Sequence, residues 1–289
     1  MPEYKLTDIP KIGLGTYKMK TQSDITHSLE YALRVGYRHF DTAQLYKNEH
    51  LISHFLEHHL PELGLGCTRK DLWITTKVPY FTMLEGDEGK IRESILQSCN
   101  YFGGYVDLYL IHASNPNDMK TWRILQEFQK SGHIRYIGLS NYNLEKLENF
   151  IKRLDISKEQ VSSTLEPGYL EHGIYMNQIE YNPFQNRADL HSRCSELGIR
   201  ITAYGSLYKK NKFIESVASN TGKRDGVEYT AEQILLAWSF SKNITVIPMS
   251  KNPQHIENNY KSMMINLLED DITGLNKLHE NYTRYAKHL

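Results

Sequence analysis

Cysteine is scarce in this 289-residue chain, which has only Cys67, Cys99 and Cys194. An odd number without metal-ligand spacing builds neither a disulfide framework nor a tetrahedral zinc site. Long apolar runs are missing too. None approaches the ~18 residues of a membrane span, and the opening MPEYKLTDIPKIGLGTY has no apolar core of signal-peptide type. Neither sign of charge dominates, since Lys plus Arg and Asp plus Glu each number 34, so bulk charge points to no polyanionic partner. No low-complexity segment interrupts the chain. We therefore expect a reduced, cytoplasmic, metal-free protein with no nucleic-acid or membrane partner, and we expect a monomer.

What the chain has is alternation. Ile25, Leu29, Ala32 and Leu33 recur at helical spacing over residues 23–36, with Ser23 or Asp24 as N-cap and Gly36 as the stop. The strand-like YRHFDTA follows. The same order repeats with helices near 51–60 and 91–99, strands at 72–78 and 106–112, a helix around Trp122, Leu125 and Phe128, and a strand at 136–140. A helix at 144–154, the strand YMNQIEYN, a helix at 188–197 and the strand IRITAYGSL continue the series. After them come a short helix near 213–218, a helix at 231–240, the strand ITVIPMS and a last helix opened by Asn252 and Pro253. With a strand in KIGLGT ahead of the first helix, this pattern predicts an α/β protein. It would form one (β/α)8 TIM barrel over 1–289, with its site at the carboxyl ends of the strands. Two stretches break the rhythm: 155–173 reads as a surface insertion, and 208–226 as a loop at the active-site mouth.

Four ionisable side chains sit just past three of those strands: Asp41 and Tyr46 in RHFDTAQLY, Lys77 in LWITTKV and His112 in VDLYLIH. Lys77 follows Asp41 by 36 residues and His112 follows Lys77 by 35, about one βα unit each. With 20 tyrosines and 13 histidines, any single one is ordinarily packing or surface. A lysine closing an apolar strand is different, because a charge at the mouth of a buried strand needs a partner. Together the four suit proton donation to a carbonyl oxygen: a lysine lowers the pKa of a nearby tyrosine, and an aspartate holds the lysine.

These residues resemble those of the aldo-keto reductase superfamily of the aldose reductase type. The likeness runs in order through GLGTY (13–17), GYRHFDTAQLYKNE (36–49), TTK (75–77), VDLYLIH (106–112), IGLSNY (137–142), NQIEYNPF (177–184), AYGSL (203–207) and VIPMS (246–250). The resemblance implies reduction of aldehydes or ketones to alcohols by hydride transfer from NADPH. It implies Tyr46 as general acid, Lys77 as the group lowering its pKa, Asp41 as the partner of Lys77, and His112 as the residue orienting the carbonyl. For the cofactor it implies Ser140, Asn141 and Gln178 on the carboxamide and Tyr204 stacked on the nicotinamide. Gly205, Ser206 and Leu207 would lie over the pyrophosphate, and Ser250 at the adenosine phosphate, with Gly15, Thr16, Lys251, His255 and Asn259 completing the site.

The chain also departs from its relatives. Ala113 stands where a tryptophan often follows the histidine, and Pro79 lies two residues after the lysine. A pocket bounded by Tyr17, Pro79, Tyr80 and Ala113 is therefore expected to be more open than an aromatic slot, with Phe81 a further candidate to refill lost volume. The ending HENYTRYAKHL implies a short C-terminal loop. Met249 and His255 replace a lysine and an arginine that grip the 2′-phosphate in relatives, which implies NADPH as the better cofactor with appreciable use of NADH. The family also includes non-catalytic cofactor-binding subunits and structural proteins, and steroid double-bond reductases with glutamate in place of the histidine. The intact tetrad favours a carbonyl-reducing enzyme over the former, and His112 argues against the latter.

Overall fold

A computed structural model describes residues 8–159 and 173–280. Along the chain it runs β1 (Leu14–Gly15), α1 (Gln22–Val35), β2 (His39–Asp41), α2 (Glu49–His54), β3 (Trp73–Val78), α3 (Tyr80–Glu85), α4 (Glu88–Tyr101) and β4 (Val106–Ile111). Then come α5 (Asp118–Lys130), β5 (Ile134–Ser140), α6 (Leu144–Glu159), β6 (Met176–Glu180), α7 (Ala188–Glu196) and β7 (Arg200–Tyr204). The remaining elements are α8 (Lys212–Asp225), α9 (Ala231–Ser241), β8 (Thr245–Val246), α10 (Pro253–Lys261) and α11 (Glu269–Asn276). The strands pair in parallel in sequence order. A parallel bridge from Ile12 to Val246 and the bond from Gly13 N to Val246 O bring the first and last edges together. This is the closed (β/α)8 barrel expected from the alternation.

The two-residue side-chain period of a strand sorts the interior from the helical shell. On β3, Ile74 and Val78 join the large core cluster under the helices, whereas Trp73 packs with Leu108, Leu110 and Met176 in a separate cluster. Thr75 meets His39 of β2 through a 3.0 Å bond to its Nε2. The barrel is thus filled with apolar side chains at one level. Further along the same strands Asp41, Lys77 and Gln178 form a buried polar level. A short step in β3 from Trp73 through Thr75 to Lys77 converts packing into chemistry.

Several boundaries differ from the sequence reading. Thr21, rather than Ser23 or Asp24, caps α1, accepting from Asp24 N at 3.1 Å. The stretch 208–226 is mostly helical, because α8 fills 212–225. Its buried face is Ile214, Val217, Ala218, Thr221 and Gly222, at perfect helical spacing but with two non-aliphatic members, which hid its second half. Asn211 starts it by accepting from Ile214 N at 2.9 Å. Two helices were not anticipated, α3 directly after Pro79 and α11 after the helix opened by Asn252. Of the expected insertion at 155–173, α6 accounts for the beginning as far as Glu159, and 160–172 lie outside the described residues. The tail from 281 onward lies outside them as well.

Candidate active site

Parallel pairing puts the ends of β2, β3 and β4 side by side, and Asp41, Lys77 and His112 arrive there together. Lys77 is 1% exposed at its side chain and Asp41 2%, and they form an ion pair at 2.8 Å. Lys77 Nζ also donates to Thr42 O at 2.7 Å, while the second oxygen of Asp41 accepts from Gln178 Nε2 at 2.7 Å. Tyr46 lies on a 3-10 turn, Gln44–Tyr46, in the loop after β2. Lys77 Nζ stands 5.2 Å from the centre of its ring, the His112 ring meets it edge-on at 6.1 Å, and Tyr17 lies 5.1 Å away on another side. The tetrad anticipated from strand ends therefore converges.

Burial governs its electrostatics. It raises the pKa of Asp41 and lowers that of Lys77 from their ordinary values, while the opposite charge of the partner works against both shifts. The partners they keep, two donors on the carboxylate and two oxygens on the ammonium, are those of an ionised pair. His112 is pushed down to about 3, by burial first and by Lys77 second, so its imidazole is neutral in ordinary buffers. Its Nδ1 is buried without a hydrogen-bond partner. Tyr46 departs from the sequence reading. Burial, then the charge of Asp41, holds its phenol well above the usual tyrosine range. The net shift is therefore opposite to the lowering expected from the sequence. The side chain accordingly stays protonated, as a proton donor must.

The tetrad opens into a cavity of about 450 Å³ lined on its far side by Ser140, Asn141, Gln178, Tyr204, Gly205, Ser206 and Leu207. Gly205 takes a left-handed turn (φ 64°), which favours glycine. Asn141, also left-handed (φ 63°), donates to His112 O at 2.9 Å and accepts from Tyr204 OH at 2.6 Å. Ser140 Oγ donates to Gln178 O at 2.9 Å. Two carboxamides, a hydroxyl and a tyrosine ring around one end form a donor and acceptor set that fits a flat amide-bearing ring. Met249 also lines the cavity. Next to it Ser250 is buried, and Lys251 is paired with Asp24 at 3.2 Å. His255 is exposed at the start of α10, while Asn259 is buried on that helix. Gly15 lines the cavity, whereas Thr16 is buried and ties the first loop to β2 by donating to Asp41 O at 3.0 Å.

The four expected pocket residues are not gathered in one place. Tyr17 lines the cavity, half exposed. Pro79 and Phe81 face a separate groove of about 440 Å³ behind the Tyr46 turn, Tyr80 begins α3, and Ala113 is fully buried. Lys18, Leu45, Ile247 and Pro248 line the cavity without having been singled out. They flank Tyr17, Tyr46 and Met249 in sequence, so the same rule of residues just past strand ends would have found them.

Comparison with known proteins places this geometry. A model described as "Aldo/keto reductase family" matches residues 11–280. Glyoxal reductase of Bacillus subtilis (strain 168) is 28% identical over 287 residues, covering 95% of this chain and 90% of the relative. Methylglyoxal reductase DkgB of Escherichia coli O157:H7 is 32% identical over 269 residues, covering 91% and 90%. A crystal structure of an aldo-keto reductase enzyme from a Medee basin deep-sea metagenome library superposes with a TM-score of 0.80 at 26% identity, covering 96% of this chain and 94% of that one.

Proposed function

The chain belongs to the Aldo/keto reductase family, and from that premise we propose that it reduces aldehydes or ketones to alcohols with Tyr46 as general acid. The observation that carries this reading is the meeting of Asp41, Tyr46 and His112 in one cavity with Ser140, Asn141, Gln178 and Tyr204, with Lys77 buried behind them. NADPH, when bound, supplies the hydride. Ser140, Asn141 and Gln178 would hold its carboxamide, Tyr204 would take the nicotinamide, and Gly205, Ser206 and Leu207 would take the pyrophosphate. The buried His112, a neutral imidazole, orients the carbonyl oxygen by hydrogen bonding rather than by charge. Tyr46 gives its proton to that oxygen as charge builds there, and the Lys77 ammonium beside the ring stabilises the phenolate left behind. Asp41 keeps Lys77 charged and in place.

At the adenosine end, Ser250, Lys251, His255 and Asn259 would hold the phosphate, Lys251 by exchanging Asp24 for it. NADPH is then the better cofactor by a modest margin, and NADH is also used. The apolar lip of Tyr17, Leu45 and Leu207 sets no narrow limit, so small aldehydes of the glyoxal kind are the first substrates to test. The decisive comparison is wild type against Tyr46→Phe, following loss of NADPH absorbance and, separately, cofactor binding by fluorescence. The phenylalanine variant should lose ~10²–10⁴-fold in turnover with cofactor affinity nearly intact. Retention of more than about a tenth of wild-type turnover would remove Tyr46 from the acid role. Tight cofactor binding by a wild type with no turnover on any aldehyde or ketone would replace the enzyme with a binding subunit.

A further inference from the structure

Behind the tetrad lies a buried carboxyl that the chemistry above does not use. Glu49 opens α2, three residues after Tyr46, and is 5% exposed. Its Oε1 accepts from Thr76 Oγ1 at 2.5 Å, and Ser98 Oγ of α4 donates to its carboxylate at 3.0 and 3.1 Å. Thr76 is the residue before Lys77 on β3. Ser98 is a hub, for it also accepts from Gln44 Nε2 at 2.7 Å and from Tyr109 OH of β4 at 3.0 Å. Gln44 belongs to the turn that carries Tyr46, and it is further tied to Ser94 on α4. One network thus joins the turn of Tyr46, the strand of Lys77 and the strand of His112.

We infer that Glu49, acting through Ser98 and Thr76, is a positioning residue that clasps the Tyr46 turn to the Lys77 strand, and that the clasp holds when Glu49 is ionised. The donor pattern gives the reason. Both hydroxyls that reach the carboxylate donate to it, and Ser98 Oγ already accepts two hydrogen bonds, so a proton on Glu49 can pass only to Thr76 Oγ1, which must then give up its own donation to the carboxylate. Burial pulls the other way and raises the carboxyl to about 7, against the lowering effect of Thr76, Ser98 and Lys77. The charged and titratable groups around Glu49 are Lys77 from β3, Tyr109 from β4, Cys99 from α4, and, lining the same groove, Lys47, His50, Glu85, Lys90, Glu93 and Tyr101. From α1 the contact with α2 is the uncharged Gln22, which donates to Leu51 O. Ionised Glu49 also favours the charged form of Lys77.

This inference deepens the proposed function, and its test has a readout that needs no turnover. Tyrosine ring-labelled protein, with the Tyr46 signal assigned by loss in Tyr46→Phe, should show one sharp Tyr46 environment above neutral pH. That signal should broaden or shift as pH falls through about 7. Glu49→Gln and Ser98→Ala should show the altered signal at every pH, and His50→Asn should behave as wild type. In turnover, wild-type kcat should rise with pH around neutrality. Ser98→Ala should lower kcat by ~10–100-fold, as misplacement of a reacting group does, with KM changed by less than about twofold. Glu49→Gln should flatten the profile. A Tyr46 signal unaffected by pH and by both network variants would overturn the clasp. So would a neutral-range profile that survives Glu49→Gln and disappears in His50→Asn. If wild type turns over no carbonyl compound, the proposed function fails while the ring signal still decides the clasp.

Discussion

Asp41 and Lys77 offer the sharpest quantitative test, because each is the principal counter-charge of the other and both side chains are almost wholly buried. Asp41→Asn leaves the Lys77 ammonium, 1% exposed, without its counter-charge and with only neutral oxygens, such as the Thr42 carbonyl, to accept from it. Lys77→Met leaves the Asp41 carboxylate, 2% exposed, with Gln178 as its remaining side-chain donor among the described residues. Breaking a buried pair from one side costs about 3–5 kcal/mol. At ~2–4 °C per kcal/mol, typical of domains only slightly smaller than this one, each single variant should melt on the order of 10 °C lower. The pH dependences have opposite signs. In Asp41→Asn the folded state depresses the lysine pKa and binds fewer protons than the unfolded state, so the lost stability returns as pH rises. In Lys77→Met the folded state raises the aspartate pKa and binds more protons, so stability returns as pH falls. Asp41→Asn/Lys77→Met removes both charges, keeps an oxygen for Gln178, and should be more stable than either single variant. Urea and thermal unfolding monitored by circular dichroism from mildly acidic to mildly alkaline buffer would measure all of this. Single variants that each lose under about 1 kcal/mol, or a double variant whose loss equals the sum of the two, would refute the reasoning.

His112, pushed down to about 3, should show nitrogen chemical shifts of a neutral ring throughout the mildly acidic range, and a protonation midpoint near its ordinary value would disprove its burial. Asp24→Asn frees Lys251 from an exposed ion pair, a gain worth roughly 0.5–1 kcal/mol. NADPH should then bind about twofold to fivefold more tightly with NADH unchanged, and Met249→Lys should widen the same gap. An equal effect on both cofactors would place the 2′-phosphate elsewhere. Gly138→Ala would set a Cβ 2.6 Å from Met176 O and 2.8 Å from a Leu110 methyl inside the barrel. It should cost about 1–3 kcal/mol by overpacking, and an unchanged urea midpoint would show that the interior gives way.

The sequence by itself determined the barrel and the tetrad, because both follow from local rules. Strand and helix periods are written in neighbouring residues, and a charge placed just past an apolar strand must reach the mouth of any parallel barrel. Contacts between distant segments obey no such rule, and there the tertiary structure decided. It kept α8 helical where Thr221 and Gly222 fill core positions, and it turned Pro79 into a groove apart from Tyr46 by starting α3 beside it. It raised the pKa of Tyr46, first by burying the phenol and then by bringing the charge of Asp41 near it. It joined Lys251 to Asp24 across 227 residues of chain, and Glu49 to Ser98 across 49. Each of these depends on which groups end up as neighbours, and for the buried ones desolvation is a property of the folded whole.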